Sequence, residues 1–258
     1  MRDPGPNYAI DTVGGVAQLA HKIGVAQPSA SNWNRVPAQR VIAIEAATGA
    51  SHKQLRSDLS SEPAVKDDAV DPVDAARAQE YALLAALLWS APSNELLGEI
   101  ARLRGDATPL GRAHAALAEA ASEATAEVDR EYFDLFVGLG RGELLPYGSY
   151  YLTGFLNERP LSRLRDDLAA LGIERVEKNF EPEDHAATLC EIMAGLAGRR
   201  FPASAEMQRR FFEKHVAPWM GRLFADMETA ASAKFYRSVG SLGRLFLKIE
   251  TEAFTFAN

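Results

Sequence analysis

The sequence Phe180-Glu181-Pro182-Glu183-Asp184-His185 leads into an apolar segment that ends near Leu196. Proline is favoured in the first turn of a helix, because its missing N–H would be unpaired there, and the helix dipole favours acidic residues beside it. The sequence therefore predicts a helix that starts in this stretch. The apolar residues recur at three- and four-residue spacing and share one face with His185, while Asp184 is expected beside them at the exposed first turn. These two residues are thus expected at the rim of a buried surface, although a charge cluster next to a core histidine explains the same pattern.

From Asp74 to the C-terminus, helical periodicity continues without strand-like alternation or runs of β-branched residues. Residues 75–90 are nearly all apolar, which predicts a helix at the centre of the domain. Ser93 is expected to cap a short helix, and Pro109 to open a long alanine-rich one. The last helix is expected to bury one stripe of residues: Phe235, Val239, Leu242, Phe246, Ile249 and Ala253. The pattern predicts an all-α domain, a helical bundle with a single core over residues 74–258.

This region also carries four short motifs in order: Glu131-Tyr132-Phe133-Asp134-Leu135-Phe136, Leu145-Pro146-Tyr147-Gly148-Ser149-Tyr150-Tyr151, Pro182-Glu183-Asp184-His185 and Phe211-x-x-x-His215-x-x-Pro218-Trp219. Each motif alone is weak, but their order and separation resemble the TorD/DmsD family of redox-enzyme maturation chaperones, from about Arg77 to the C-terminus. The resemblance implies an all-helical cytoplasmic protein that binds the twin-arginine signal peptide, and often the body, of a molybdoenzyme precursor of the DMSO reductase or formate dehydrogenase class. Such a chaperone keeps its client unexported until the molybdenum cofactor is in place.

The resemblance also implies a signal-peptide site, formed by Tyr147, Ser149, Tyr151, Glu183, Asp184 and His185. An aromatic residue often occupies the loop position of Tyr147 in the family, where it would form one wall of a peptide groove; a ring packed under its own loop is the alternative. Ser149 is also a plausible cap for the helix that follows this loop. Residues 61–258 hold 22 Lys and Arg against 31 Asp and Glu, a net charge of −9. Carboxylates such as Glu183 and Asp184 suit an arginine pair, although a net negative charge also serves solubility alone.

Residues 7–59 form a separate predicted unit. Val16–Val25 predicts a short helix, and Gln27–Trp33 predicts a second one directly after it, which is the helix-turn-helix pattern. A third helix is expected between Pro37 and Gly49. The alanine-rich first helix, the Gly-Val turn and the Gln- and Ser-rich second helix resemble a Cro-like, YdaS-type DNA-binding domain.

In such a domain the second helix enters the major groove and reads base edges. The DNA-contacting candidates are Gln27, Ser29 and Asn32 for bases and Lys22, Arg35 and Arg40 for phosphates, whereas Trp33 is expected in the core. Residues 1–60 carry six Lys and Arg against four Asp and Glu, a net charge of only +2. Because phosphate contacts supply much of the affinity for DNA, one copy is expected to bind weakly and a homodimer to be needed. A helical module that kept this fold and lost DNA binding is the alternative.

Residues 60–73 combine two prolines with a surplus of acidic residues and show no apolar periodicity, which predicts a flexible linker. The predicted organisation is therefore a helix-turn-helix domain at 1–59, a linker at 60–73 and a helical chaperone-like domain at 74–258.

The composition, with 47% hydrophobic and 24% charged residues, is that of a soluble globular protein. No apolar run approaches the roughly 20 residues of a membrane span, and the N-terminal residues lack a signal-peptide segment. The single Cys190 excludes an internal disulfide and is expected as a buried thiol. These features favour the cytoplasm.

The five histidines are scattered and lack metal-ligand spacing, and the chain contains no phosphate-binding loop, dinucleotide motif or serine elbow. We therefore expect no metal, no cofactor and no enzymatic activity. Two functions follow from the resemblances: a molybdoenzyme chaperone with an added DNA-binding domain, or a transcriptional regulator whose TorD-like domain serves as a sensor or dimerisation module. An enzyme built on His185 and Asp184 ranks last, because a nucleophile and a cofactor motif are missing.

Overall fold

The computed structural model describes residues 4–23, 33, 36, 41–50, 55, 70–124, 127–173 and 181–256. The chain divides into two compact units, a smaller one of residues 1–69 and 172–174 and a larger one of residues 70–171 and 175–258. Over the described ranges the chain is helical, and the strand-like pairing is limited to one isolated antiparallel bridge between Tyr147 and His185. The predicted all-α fold is confirmed.

The smaller unit contains helices α1 (Pro4–Thr12), α2 (Val16–Ile23) and α3 (Val41–Thr48). Its core is a cluster of buried apolar residues that includes Leu19 of α2 and Ile44 of α3, and Trp33 packs against this cluster as expected. The sequence did not predict α1. Gly49 follows α3 with a positive φ of 70°, a backbone conformation that glycine adopts readily at helix ends. The predicted second helix lies outside the described residues, apart from Trp33.

The larger unit is a bundle of helices. The helices are α4 (Pro72–Trp89), α5 (Asn94–Ile100), α6 (Pro109–Glu123), α7 (Glu127–Tyr132, continued by a π-helical turn at Phe133–Val137), α8 (Gly148–Thr153), α9 (Arg159–Leu171), α10 (Ala186–Ala197), α11 (Ala205–Phe211, continued by a π-helical turn at Phe212–Val216), α12 (Met220–Thr229) and α13 (Phe235–Phe256). Helices α4 and α10 pack closely at the centre, and ten of the twelve residues of α10 are buried. Cys190 of α10 is buried, as expected.

Side-chain caps fix where several helices begin. Asp71 accepts the N–H of Val73 at 2.8 Å and Pro72 occupies the first turn of α4, so α4 starts two residues before Asp74, where the helical domain was predicted to begin. Ser93 caps α5 as predicted. Thr108 caps α6 in front of Pro109, which opens that helix as predicted.

Two expectations about the larger unit were wrong. The helix predicted to start between Phe180 and His185 is α10, which begins at Ala186 and not in the Pro182 turn, because His185 already has the extended backbone of an N-cap residue. In α13, two residues of the predicted stripe are exposed, Ile249 (38%) and Ala253, whereas Glu250 is only 1% exposed. Glu250 faces inward because it accepts hydrogen bonds from the Arg77 guanidinium, at 2.7 Å, and from the Tyr81 hydroxyl, at 2.9 Å.

Candidate functional site

Two distant segments of the larger unit meet at the predicted site. The N–H of Gly148 donates to the carbonyl of Asp184 at 2.9 Å, and the N–H of Ala186 donates to the carbonyl of Pro146 at 2.8 Å. These bonds form the isolated bridge between Tyr147 and His185. We call the paired segments, residues 146–149 and 184–186, the clasp. It joins the loop before α8 to the start of α10.

Asp184 holds the clasp together from inside. Its Oδ2 accepts the N–H of Ser149 at 2.6 Å, and the residue is only 3% exposed. The predicted position at an exposed first turn was therefore wrong, because the paired loop covers this carboxylate. Ser149 is fully buried at the second position of α8, so it does not cap that helix; the carboxylate of Asp184 binds the free N–H instead.

The close approach at the clasp depends on Gly148. A Cβ atom at this position would lie 3.1 Å from Nε1 of Trp219, which is tighter than ordinary packing allows. The Trp219 indole is itself fixed, because its N–H donates to the carbonyl of His215 at 2.7 Å. The motif residues Gly148, His215 and Trp219 thus support the clasp from behind.

His185 is the N-cap of α10. Its Nδ1 accepts the N–H of Ala187 at 3.2 Å, so the ring must be unprotonated at that nitrogen. Burial lowers the pKa of His185 to about 4, with an opposing contribution from the negative charges of Glu181 and Asp184. The imidazole is therefore neutral at pH 7, and its proton sits on Nε2, which is available as a hydrogen-bond donor.

Tyr147 packs its ring edge-on against His185, with 5.1 Å between the ring centroids. Its hydroxyl donates to Oε2 of Glu181 at 2.6 Å, and burial, together with this bond, raises the pKa of the phenol. The ring is only partly exposed. Tyr147 therefore packs against its own clasp and also lines a cavity.

That cavity has a volume of about 220 Å³. It is lined by Trp89, Tyr132, Phe136, Val137, Pro146, Tyr147, Glu181 and His185. The Trp89 indole stands edge-on to His185 with 6.2 Å between centroids, and the Tyr132 hydroxyl donates to the carbonyl of Trp89 at 2.9 Å. We call this space the aromatic cavity. Aromatic side chains form most of its walls, and the carboxylate of Glu181 lies at its edge.

Two of the predicted site residues do not line the aromatic cavity. Glu183 accepts two hydrogen bonds from the guanidinium of Arg165 on α9, at 2.8 and 3.0 Å. Tyr151 stacks on Trp219 with 5.5 Å between centroids and donates its hydroxyl to Asp226 of α12 at 2.8 Å. The structure thus brings Tyr147, Ser149, Asp184 and His185 together, whereas Glu183 lies beside α9 and Tyr151 beside α12.

Sequence reasoning missed several residues of the cavity. Glu181 belongs to the stretch Phe180–His185, but its hydrogen bond to Tyr147 follows only from the three-dimensional fold. Trp89 ends the apolar run that predicted a core helix, and nothing in that run indicated that its side chain would be 46% exposed.

Glu131, the first residue of its motif, has a structural role: its carboxylate accepts the N–H groups of residues 234–236 and so caps α13.

In the smaller unit, Lys22 lies exposed on α2. The other predicted DNA contacts, Gln27, Ser29, Asn32, Arg35 and Arg40, lie outside the described residues. In the parts of the chain that the structure describes, no group of three or more His, Cys, Asp or Glu residues could hold a metal ion. No helix among the same residues combines the length and the apolar character that a membrane crossing requires.

Comparison with known proteins matches both units. Residues 103–225 match the family model described as nitrate reductase delta subunit, and residues 7–64 match the one described as bacterial toxin YdaS. The chain is 26% identical over 140 residues to the chaperone protein TorD of Vibrio atlanticus, and 32% identical over 108 residues to that of Vibrio cholerae. The larger unit resembles the TorD chaperones, as its motifs predicted.

The TorD-like similarity is partial. The two alignments cover 50% and 38% of this chain, and they span 65% and 49% of the length of the respective relatives. A crystal structure described as a redox enzyme maturation protein, from Archaeoglobus fulgidus, aligns with a TM-score of 0.45 and 21% identity over 66% of this chain and 93% of that chain.

Proposed function

We propose that this protein is a maturation chaperone for a molybdoenzyme, and that its aromatic cavity binds the twin-arginine signal peptide of the precursor. The observation that carries the proposal is the clasp, which puts the partly exposed ring of Tyr147 and the Nε2–H of His185 on the wall of one cavity with Glu181 at its edge. The similarity to TorD chaperones supports the same conclusion.

The charges around the cavity suit an arginine pair. Glu181 is exposed at the edge, and Glu183 is close by in sequence and already accepts a guanidinium, that of Arg165. An arginine donates paired, charge-assisted hydrogen bonds to a carboxylate, which an ammonium group cannot reproduce with the same geometry. The surrounding region, residues 61–258, carries a net charge of −9, which attracts a cationic peptide.

Two residues of the clasp contact the peptide, and two position them. The ring of Tyr147 packs against apolar side chains of the peptide, and the Nε2–H of His185 donates to a peptide carbonyl. Asp184 and Ser149 are buried behind them and act as positioning residues, because their bond fixes the loop that carries Tyr147.

The same geometry favours binding over catalysis. A histidine acts as a general base when a neighbouring carboxylate orients it and a nucleophile lies within reach. Here the carboxylate of Asp184 binds the N–H of Ser149, and Nδ1 of His185 binds the N–H of Ala187. Both groups are committed to backbone capping, so we propose that the protein is not an enzyme.

A second candidate function, a DNA-binding regulator, is favoured by the match of residues 7–64 to the YdaS model. In this proposal Gln27, Ser29 and Asn32 read bases, while Lys22, Arg35 and Arg40 hold phosphates. The TorD-like unit would then sense its client or dimerise.

Co-purification from the native cell tests the chaperone proposal. The full chain should retain a molybdoenzyme precursor, the Tyr147→Ala variant should lose it, and the Tyr150→Ala variant, which removes a neighbouring tyrosine that stacks on Arg141, should keep it. Recovery of DNA without any molybdoenzyme subunit would favour the regulator instead.

A further inference from the structure

Two adjacent arginines, Arg199 and Arg200, are exposed just after the end of α10. The helix ends at Ala197, and Gly198 follows it as the cap. Arg199 then has a positive φ of 55°, a left-handed conformation that glycine usually supplies after a helix because a side chain disfavours it. The backbone N–H of Arg200 donates to the carbonyl of Gly195 at 2.8 Å and fixes the turn. The turn therefore presents both guanidinium groups to solvent.

The chain has a second adjacent arginine pair, Arg209 and Arg210, and that pair has a different setting. Arg209 lies in α11 and forms an ion pair with Glu206 at 2.7 Å. In contrast, neither Arg199 nor Arg200 has an ion-pair partner among the residues that the structure describes. Arg199 and Arg200 thus offer the same chemical group that the proposed function assigns to the signal peptide of the client.

Arg200 lies on a surface that is continuous with the aromatic cavity. It lines a second cavity, of about 540 Å³, between α4 and α10. Trp89 lines both cavities, whereas Glu181 lines only the aromatic cavity and Arg200 only the larger one. Trp89 therefore marks the junction between a cavity with a carboxylate at its edge and a cavity with a guanidinium at its edge.

A surface of this kind is complementary to itself. In a two-fold symmetric dimer the same patch is used by both copies, so that residue i meets residue j and residue j meets residue i. With Trp89 close to the axis, Arg200 of each copy comes opposite Glu181 of the other. The centre of the patch is apolar, because Trp89 is 46% exposed and Ala82 and Ala86 beside it are exposed as well. An apolar centre with a charged rim is the usual anatomy of a protein interface.

The net charge of the larger domain limits the strength of such a dimer. Residues 61–258 carry a net charge of −9, so two copies repel each other at long range. The contact must then come from local pairing of arginine with carboxylate and from burial of the apolar centre. A weak dimer of this kind leaves the site open to a better ligand.

We infer that a second copy of this chain places Arg199 and Arg200 at the acidic edge of the aromatic cavity, so that the protein competes with its own client for the site. The inference rests on the proposed function, because it takes the edge at Glu181 to be a site for an arginine pair. The second copy and the signal peptide exclude each other, since both place guanidinium groups on the same carboxylate. The dimer covers the exposed indole of Trp89 until a client displaces the second copy.

The competition has a measurable consequence for peptide binding. The apparent dissociation constant rises by the inverse of the fraction of binding-competent monomer. A chain that is about 90% dimeric therefore binds the peptide about tenfold more weakly than its monomer does. The measured affinity of the parent should thus fall as its concentration is raised.

Sedimentation velocity and calorimetric titration with a molybdoenzyme signal peptide, both on the full chain, test the inference. The decisive variant is Arg199→Gln/Arg200→Gln. Its matched control is Arg209→Gln/Arg210→Gln, which removes the same two charges from the other arginine pair. A third variant, Glu181→Gln, removes the negative charge from the carboxylate that accepts the pair. Melting curves of all four proteins show whether they fold alike.

The parent and the Arg209→Gln/Arg210→Gln variant should form a dimer that the peptide dissociates. Arg199→Gln/Arg200→Gln should stay monomeric and bind the peptide with an affinity that does not depend on protein concentration. At a concentration where the parent is about 90% dimeric, this variant should bind about tenfold more tightly than the parent. Glu181→Gln should also stay monomeric. Equal self-association of the two double variants, or a parent dimer that the peptide leaves intact, would overturn the inference.

Failure of the proposed function has a different signature. If the peptide binds none of the proteins, while Arg199→Gln/Arg200→Gln and Glu181→Gln both abolish the dimer, the signal-peptide site is wrong and the self-association through the acidic edge stands. If the peptide binds the parent and the parent is monomeric at every concentration, the self-association is wrong and the proposed function stands.

Discussion

Oδ2 of Asp184 accepts the backbone N–H of Ser149 at 2.6 Å, across 35 positions of sequence, and so fixes the loop of Tyr147 against the start of α10. The acid is buried and its second oxygen, Oδ1, has no partner among the described protein groups. A buried carboxylate in this position serves the architecture of the site first, and any effect on a ligand comes through the residues it positions.

Asp184→Ala should therefore destabilise the fold as well as weaken peptide binding. Removing the acceptor leaves the N–H of Ser149 unpaired in the interior, and we expect a loss of about 1–3 kcal/mol in the free energy of unfolding. Urea denaturation of the full chain measures it, with Asp166→Ala, at an exposed acid on α9, as the matched control. A variant as stable as the parent would show that the clasp does not depend on this bond.

Arg165→Gln should strengthen binding of an arginine-containing peptide. The guanidinium of Arg165 occupies Glu183 through two hydrogen bonds, so it competes with a ligand arginine for the same carboxylate. The pair is partly exposed and contributes at most about 1 kcal/mol, which corresponds to a gain of up to about fivefold in affinity. The gain should shrink at high salt. Arg163→Gln, two residues away on an exposed position, should leave affinity unchanged; equal behaviour of the two variants would exclude the competition.

His185→Asn should flatten the dependence of stability on acid pH. The folded-state pKa of about 4 lies below the ordinary value of 6.5, so between these pH values the unfolded chain binds a proton that the folded chain excludes. The contribution of His185 thus lowers the free energy of unfolding by about 3 kcal/mol as the pH falls from 6.5 to 4. Asparagine keeps an N-cap acceptor and does not titrate.

His114 supplies the control for that pH experiment. Its hydrogen bond to Glu80, at 2.9 Å, raises its pKa, so its contribution is complete below pH 6.5 and is lost as the pH rises through the folded-state pKa. His114→Gln should therefore change the neutral side of the stability profile, whereas His185→Asn changes the acid side. Identical profiles for the His185→Asn variant and the parent between pH 4 and 6.5 would mean that His185 is not the neutral cap described above.

The DNA proposal makes a separate prediction. Gln27→Ala and Asn32→Ala should each relax sequence preference by about 1–3 kcal/mol, the size of a good bidentate base contact. Lys22→Ala and Arg40→Ala should weaken binding to all sequences and flatten its salt dependence. Fluorescence anisotropy with genomic fragments distinguishes the two classes. If neither the dimer nor the monomer binds any fragment at low salt, the DNA-binding proposal is wrong.

The sequence predicted the helical fold well because its signals are local. Caps such as Ser93 and openers such as Pro109 act within one turn, and the structure confirms both. The start of α10 was misplaced, since Pro182 and its acidic neighbours form a turn that looks like a helix start. That turn became part of the clasp through a pairing with residues 146–149, which no local pattern encodes.

The site was predictable only as far as its residues lie in motifs. Tyr147, Asp184 and His185 were named from resemblance, but the burial of Asp184 and the open face at Trp89 are consequences of tertiary packing. The sequence predicted an exposed carboxylate at Asp184, within an acidic turn after Pro182, and a buried tryptophan at the end of an apolar run. In this fold both expectations are reversed.

The proposed function requires that the aromatic cavity recognises an arginine pair at its acidic edge. The decisive measurement is titration of the full chain with Arg-Arg and Lys-Lys versions of one molybdoenzyme signal peptide. We predict that the Arg-Arg peptide binds the parent at least tenfold more tightly than the Lys-Lys peptide, and that Tyr147→Ala weakens binding of the Arg-Arg peptide whereas Tyr150→Ala does not. Equal affinity for both peptides, or equal behaviour of the two tyrosine variants, would contradict it.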